Sequence, residues 1–525
     1  MFPMKRLATV ALNACVTLLG AAPRQARQTG DPFVILIVVD GLRPDVITPD
    51  LMPNLSRLRS EGTEYVNSHS AIPTVTRVNG AVITTGRWQS ATGILSNSPY
   101  IASFDSLRAL NTADANAMRA LAVANGNRLV APKTLAEYVA SAGKRFVSVN
   151  AGSGGNALFS NPRAPFGEGI LINANLSDAQ GSLRVAYPDS ISRALIARFG
   201  PPPSDSAEQT LNRLQSWSDR IIREYVLRDL RPAVIATWTA EPDESQHRYG
   251  VSSPQARDAL ANVDRDVGLL IATIDSLGLR TRANLIVTSD HGFALHDASV
   301  NVVDSLIAAG LKASRTSSDI ILTGDGQSLQ LFVARRDPAL VRRLATYLES
   351  KPWVDGIFAR DSTVAGTFPL HEVHLDHPDR APDLLISFPW SEAANQFGAP
   401  GAQMIAGRAS GALTGSASGH GGLNPYTIHN TLILWGPAFR QRTRVSVPAG
   451  TVDITPTILD VVGIRGLSGF DGRVLREAFV GGVDPSTIST RTFTRAVNGG
   501  GFERRVQFTE IVGGERYVDR AWRAR

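Results

Sequence analysis

A chain of 525 residues, 43% hydrophobic and 19% charged, is long enough for a large buried core and too apolar for a disordered or fibrous protein. The net charge of +6 comes almost wholly from arginine, because lysine stands only at positions 5, 133, 144, 312 and 351. The arginines are scattered apart from a tail with Arg516, Arg520, Arg523 and Arg525, which argues against a face for duplex nucleic acid.

At the N-terminus Lys5 and Arg6 precede an apolar run from Leu7 to Leu19 and the small residues Gly20-Ala21-Ala22, the pattern of an export signal over 1–22. A periplasmic or secreted protein starting between Ala21 and Arg27 is expected; an uncleaved anchor is the alternative. Cys15, the only cysteine, lies inside this run, so lipid anchoring at Cys15 is a weaker alternative, and the mature chain has no thiolate. Any metal site must then use histidine and carboxylates. Beyond this segment no long stretch is free of charge and turn residues, so no stable membrane insertion is expected after signal removal.

Phe33-Val-Ile-Leu-Ile-Val-Val-Asp40 reads as a central parallel strand, buried on both faces and ending in a carboxylate. Ala233 to Trp238, running into Glu241-Pro-Asp-Glu-Ser-Gln-His247, and Asn284 to Ser289, running into Asp290-His291-Gly292, repeat the design. Helical patterns lie over Met52 to Ser60, Pro132 to Ala142, Ser206 to Leu230 and Ser253 to Leu277. Strands alternating with helices predict an α/β fold, a doubly wound, mostly parallel sheet flanked by helices, with its chemistry beyond the carboxyl ends of the strands. Residues 31–300 and 366–480 are expected to form this core. Leu329 to Val333, Pro338 to Glu349 and Val354 to Ala359 predict a small α+β insertion over 301–365. Pro382 to Phe388 is expected to return as a core strand, followed by a loop from Gly398 to Gly422 that carries His420, a strand from Asn430 to Trp435 and a helix from Val452 to Val462. Residues 481–525 form a C-terminal extension whose alternation, as in Arg505 to Val512, predicts a hairpin.

Pro73-Thr-Val-Thr-Arg77 puts the Thr76 hydroxyl at a turn before a short helix that Gly86 stops. A threonine there is ordinarily a cap; near free N–H groups it can also be a nucleophile. Its company decides for the second reading. Asp40, Asp243, His247, Asp290, His291 and His420 all stand at strand ends or in adjoining loops, and carboxylate with imidazole suits zinc. Asp243 and His247 share one face if their segment is helical; Asp290 and His291 can serve different ions or the same one. His371, His374 and His377 read as solvated loop residues, and His69 and His429 as structural.

These stretches resemble the alkaline phosphatase superfamily and, within it, the nucleotide pyrophosphatase/phosphodiesterase branch, over roughly Val34 to Phe479. The resemblance is carried by Val38-Val-Asp-Gly-Leu-Arg43, Pro73-Thr-Val-Thr-Arg-Val-Asn79, Thr85-Gly86 ahead of Gly93-Ile94, and Glu241-Pro-Asp-x-x-x-His247. It continues through Thr288-Ser-Asp-His-Gly292, Gly419-His-Gly421 and Asp453-Ile-Thr-Pro-Thr-Ile-Leu459. It implies two zinc ions per chain, one on Asp243, His247 and His420, the other on Asp40, Thr76, Asp290 and His291. It also implies in-line attack by Thr76 on a small phosphorylated substrate, a phospho-threonine that water then hydrolyses, and a non-bridging oxygen held by Asn97 and the Arg77 N–H. The expected activity is hydrolysis of phosphate diesters or pyrophosphates.

The chain also departs from that pattern. Many nucleotide-processing relatives carry an aromatic residue after the nucleophile, where this chain has Arg77. Monoesterase relatives carry a Lys-x-Arg pair after the next strand, whereas Phe146 to Gly155 contains neither. Its absence argues for a diester, with wild type preferring diesters and Arg77→Ala lowering diester and monoester rates alike. Arg77 is, however, the only basic residue that the sequence puts near Thr76, and it can supply the missing charge or point outward. Phosphomonoesterase activity is therefore the alternative, and an inactive binding protein on the same fold, which would be expected to have lost ligands, the rival from another class. The leaving group and the oligomeric state are not written in the sequence.

Overall fold

Alternate residues of the first apolar run are buried on opposite faces of one sheet, which is why that run carries no polar residue until its end. In the computed structural model, which describes residues 30–177, 183–203, 210–324, 326–407 and 417–524, Phe33, Ile35 and Ile37 pack against Leu55 and Leu58 of the helix Pro53–Glu61 and against Leu260, Val263 and Val267 of the helix Pro254–Ser276. Val34, Leu36 and Val38 face Ile83, Leu135, Val139, Ile454 and Ile458 on the other side. Helices on both faces make this the α/β layer arrangement that the alternation predicts. The expected export segment 1–22, with Cys15, lies outside the described residues, as do 408–416 of the Gly-rich stretch.

The central sheet has nine strands: β1 (Phe33–Val38), β2 (Thr63–Tyr65), β3 (Phe146–Asn150), β4 (Ile170–Ser177), β5 (Leu183–Tyr187), β6 (Val234–Trp238), β7 (Ala283–Thr288), β8 (Leu432–Trp435) and β9 (Thr443–Val445). Their spatial order is β9-β2-β8-β7-β1-β6-β3-β4-β5. From β7 to β4 all neighbours are parallel, while β5 and β8 join antiparallel to that block. In register Val38 lies opposite Trp238 and Thr288, so the residues that follow β1, β6 and β7 emerge side by side at one edge.

Two expected elements sit elsewhere. Pro382 to Phe388 is not a strand of the central sheet: Leu384–Ser387 pairs antiparallel with Ser328–Val333 and Gly356–Ala359 in a separate five-stranded sheet. Leu384, Ile386 and Phe388 pack there with Val341, Leu344 and Leu348 of the helix Pro338–Glu349. An apolar run buried on both faces says that a strand is interior without saying to which sheet. The Gly398 to Gly422 loop is partly strand, because Pro400–Ala406 lies parallel to Ala294–Val300 and Ser418–Gly419 antiparallel to it. The expected helix Ser206 to Leu230, whose first residues lie outside the described ones, is α-helical over Thr210–Ile221 and continues as a π-helix over Ile222–Leu230. The C-terminal hairpin is a three-stranded sheet of Thr490–Gly499, Phe502–Ile511 and Arg516–Arg523. Among the described residues no helix is long and apolar enough to cross a membrane.

Candidate active site

Thr76 opens helix α1 (Thr76–Thr85), which ends on Gly86 in the left-handed conformation, φ 65°. The N-cap is Val75, and no side chain caps the helix. Thr76 is thus not spent on capping; its buried Oγ1 lies 3.3 Å from His291 Nε2. The strand-like approach to it is held by Asn79, whose Oδ1 accepts from Ala71 N at 2.8 Å and from Thr451 Oγ1 at 2.9 Å.

Around this hydroxyl the edge of the sheet delivers the acids. Asp40, two residues past β1, accepts through Oδ2 from Trp238 Nε1 at 2.9 Å, and Asp290, after β7, accepts through Oδ1 from Gly41 N at 3.1 Å. Gly41 is needed there: its φ is +71°, and a Cβ would stand 2.5 Å from the Phe293 ring. Asp243 and His247 lie one turn apart on the short helix Asp243–Tyr249, with Oδ2 and Nε2 3.6 Å apart. His420 arrives on Ser418–Gly419, and its Nε2 lies 3.4 Å from Asp243 Oδ1.

Each imidazole is turned the same way. Nδ1 of His247 donates to Ser418 O at 3.0 Å, Nδ1 of His420 to Thr74 O at 3.0 Å, and Nδ1 of His291 to Gly292 O at 3.1 Å. A carbonyl can only accept, so these bonds place the proton on Nδ1 and turn the Nε2 lone pairs inward. His247 Nε2 and His420 Nε2 then face each other at 3.1 Å, and His291 Nε2 faces Asp290 Oδ2 at 3.1 Å and Asp40 Oδ1 at 3.5 Å. Asp40 Oδ1, Asp243 Oδ1 and Asp290 Oδ2 are buried without a hydrogen-bond donor. Opposed lone pairs and orphaned carboxylate oxygens are repulsive unless a cation lies between them.

The electrostatics agree. Burial, then the Asp290 and Asp243 charges, hold Asp40 well above the ordinary carboxylate range, and burial outweighs the pull of His291 to push Asp243 up to about 8. Burial also takes His247 down to about 4 and His420 well below its usual value. For His291 burial acts downward but is outweighed by the Asp290 and Asp243 carboxylates, so it is raised. Burial disfavours charge on acids and bases alike, and bound divalent ions would ionise the acids while leaving the imidazoles as neutral ligands. The donor set fits such ions as two groups, Asp243 with His247 and His420, and Asp40 with Asp290 and His291, the atoms of each group lying within 4.8 Å of one another.

Asn97 is also at the site: its Oδ1 accepts from the Arg77 backbone N–H at 2.9 Å, which joins the two groups expected to hold a phosphoryl oxygen. The Arg77 side chain is anchored, donating from Nη2 to Ser153 Oγ at 3.1 Å. His371, His374 and His377 form no such group; His374 stacks on Trp88 at 4.3 Å. What the sequence reading missed is the support: Thr74, whose carbonyl orients His420 and whose Oγ1 accepts from Gly421 N at 3.0 Å, and Trp238, which orients Asp40. Thr74 sits inside the motif around Thr76, a usable signal. Trp238 as a donor to Asp40 depends on strand neighbours and had none.

Comparison with known proteins points the same way. A family model described as type I phosphodiesterase / nucleotide pyrophosphatase matches residues 34–392. Among curated proteins, ectonucleotide pyrophosphatase/phosphodiesterase family member 1 of Rattus norvegicus is 25% identical over 286 residues, 53% of this chain and 26% of the relative. Bis(5'-adenosyl)-triphosphatase enpp4 of Xenopus laevis is 26% identical over 290 residues, 55% of this chain and 53% of the relative. Family member 7 of Homo sapiens is 44% identical over 64 residues, 12% of this chain and 14% of the relative. The chain thus spans at most about half the length of these relatives.

Proposed function

Because the chain belongs to the type I phosphodiesterase / nucleotide pyrophosphatase family, within the alkaline phosphatase superfamily, we propose that it is an exported hydrolase of phosphate diesters or pyrophosphates that works through a phospho-threonine at Thr76. The observation that carries this is the convergence of three inward-turned Nε2 lone pairs and three donorless carboxylate oxygens around one buried hydroxyl. Asp243, His247 and His420 would hold one zinc ion, and Asp40, Asp290 and His291, with Thr76, a second. When bound, such ions supply Lewis-acid stabilisation of phosphoryl charge and make a hydroxyl a better nucleophile near neutral pH.

The chain's own groups do the rest. Thr76 Oγ1 bonds to phosphorus as the bond to the leaving oxygen breaks on the opposite side, and water then displaces Thr76 in the same in-line manner. Two inversions give net retention at phosphorus. Asn97 and the backbone N–H of Arg77, bonded to each other here, would hold a non-bridging oxygen as it gathers charge. The substrate is a small phosphorylated molecule of nucleotide type.

The test is to quench the metal-replete protein in acid during turnover of an aryl phosphodiester and to map the peptides. Phosphate is expected on Thr76, and Thr76→Ala should lower kcat by at least about a thousandfold while retaining its metal. Turnover by Thr76→Ala at the wild-type rate would overturn the reading.

A further inference from the structure

One cation near the nucleophile makes no direct ion pair. Among the described residues no ion pair within 4.0 Å joins Arg77 to a carboxylate, although the chain pairs many of its other arginines. Its guanidinium is nonetheless fixed. Nη2 donates to Ser153 Oγ at 3.1 Å, and Nε is buried without an acceptor. Ser153 itself caps helix Gly154–Ser160 by accepting from Asn156 N at 3.3 Å. The turn before it is pinned by Asn175 Nδ2 on Ala151 O at 3.0 Å and by Asn173 Nδ2 on Gly152 O at 3.1 Å. The backbone N–H of the same residue is anchored on Asn97. Ordering an arginine at both ends and leaving its Nε without an acceptor costs free energy, and a bound anion would recover it.

Building on the proposed function, we infer that Arg77, held by Ser153, is a specificity-determining residue that reads a second negative charge on the phosphorylated substrate. The shared chemistry is a phosphoryl group with an unesterified, charged oxygen beyond the single charge of a simple diester. Two sources offer it: the terminal phosphoryl of a monoester, or the neighbouring phosphoryl of a diphosphate. The Asp40, Asp243 and Asp290 oxygens that lack donors converge on the histidine Nε2 atoms, and none lies within ion-pairing distance of Arg77. The guanidinium is near enough for its charge to act on Asp40, Asp243, His247 and His420. An anion held by these residues therefore lies within its field. A planar fork suits two phosphoryl oxygens better than an ammonium does.

The experiment compares kcat/KM of metal-replete wild type, Arg77→Ala, Arg77→Lys and Ser153→Ala on an aryl phosphodiester, an aryl phosphate monoester and a diaryl diphosphate. Binding of inorganic phosphate by calorimetry is the second readout. In place of the equal loss that the sequence alone predicts, Arg77→Ala is now expected to cost about a hundredfold on one of the doubly charged substrates and less than about fivefold on the diester, with at least about tenfold weaker phosphate binding. A selective loss on the monoester identifies the terminal phosphoryl as the source, and on the diphosphate the neighbouring one. Arg77→Lys should recover part of the loss, and Ser153→Ala should show the same selectivity at smaller size. An equal loss on all three substrates, or unchanged phosphate binding in Arg77→Ala, overturns the inference. If wild type turns over none of the three, the proposed function fails by itself, and phosphate binding still decides the role of Arg77.

Discussion

Among the described residues two buried histidine–aspartate clusters stand apart, and only one is short of positive charge. In the second, His69 Nδ1 faces Ala449 O and Nε2 faces Asp519 Oδ1, each at 2.9 Å. Asp519 Oδ2 accepts from Thr509 Oγ1 at 2.7 Å, so both oxygens of the only carboxylate are taken. His429 packs 4.8 Å from His69, and burial, with His69 beside it, takes it down to about 4; its Nδ1 is the one atom of the cluster left without a partner. At the Thr76 centre three carboxylate oxygens lack donors and three Nε2 lone pairs converge. The same residue types thus make a candidate ion site in one place and a closed structural pair in the other. The difference lies in what the second atom of each group bonds to.

The comparison breaks or sharpens most strongly through metal content. His420→Ala is expected to lower bound zinc from about two ions per chain to about one and kcat by at least about a hundredfold, measured by elemental analysis beside the assay. His429→Ala should leave the metal count unchanged. A loss of metal in His429→Ala would erase the distinction between the clusters.

The next effect is on stability. The Asp519 carboxyl is opposed by burial but held below its usual value by hydrogen bonds from His69 and Thr509 and by the His69 charge. A depressed acid favours folding above its unfolded value, about 4, and the contribution disappears as pH falls through the folded value. Asp519→Asn should therefore cost about 2 kcal/mol at pH 7 and equally at pH 5.5, with the gap closing below about pH 4. Denaturant titrations across that range check it. A gap that grows toward acid would contradict the pairing.

The smallest effect concerns the neighbouring anchor of the same C-terminal sheet. Tyr517 donates to Asp453 Oδ2 at 2.8 Å and stacks on His69 at 5.2 Å. Tyr517→Phe keeps the ring and loses the bond, so about 1 kcal/mol is expected, with bound metal unchanged. A fall in metal content would mean that the extension supports the ion site and not only the fold.

The candidate ion site was far more legible than its support. Asp40, Asp243 and Asp290 each follow an apolar strand closely, and Asp243 and His247 are one helical turn apart, so local periodicity fixes their direction. His69 stands hundreds of residues before His429 and Asp519, without a shared motif, and the sequence reached only the statement that both histidines are structural. The Pro382 to Phe388 run misled because burial on both faces is common to every interior strand.

By itself the sequence determined the α/β alternation, the strand-end acids, the Thr76 turn and their order along the chain, because strand period, helical spacing and turn chemistry are local properties of the backbone. Tertiary structure alone decided three things. Ser418–Gly419 pairs with Ala294–Val300 and so carries His420 to a centre begun by Asp40. Carbonyls from Ser418, Thr74 and Gly292 choose the tautomers that leave Nε2 for an ion. Ser153 fixes the guanidinium of Arg77. Each depends on a hydrogen bond between segments whose separation in sequence says nothing of their distance in space, and only the packed sheet brings those partners within reach.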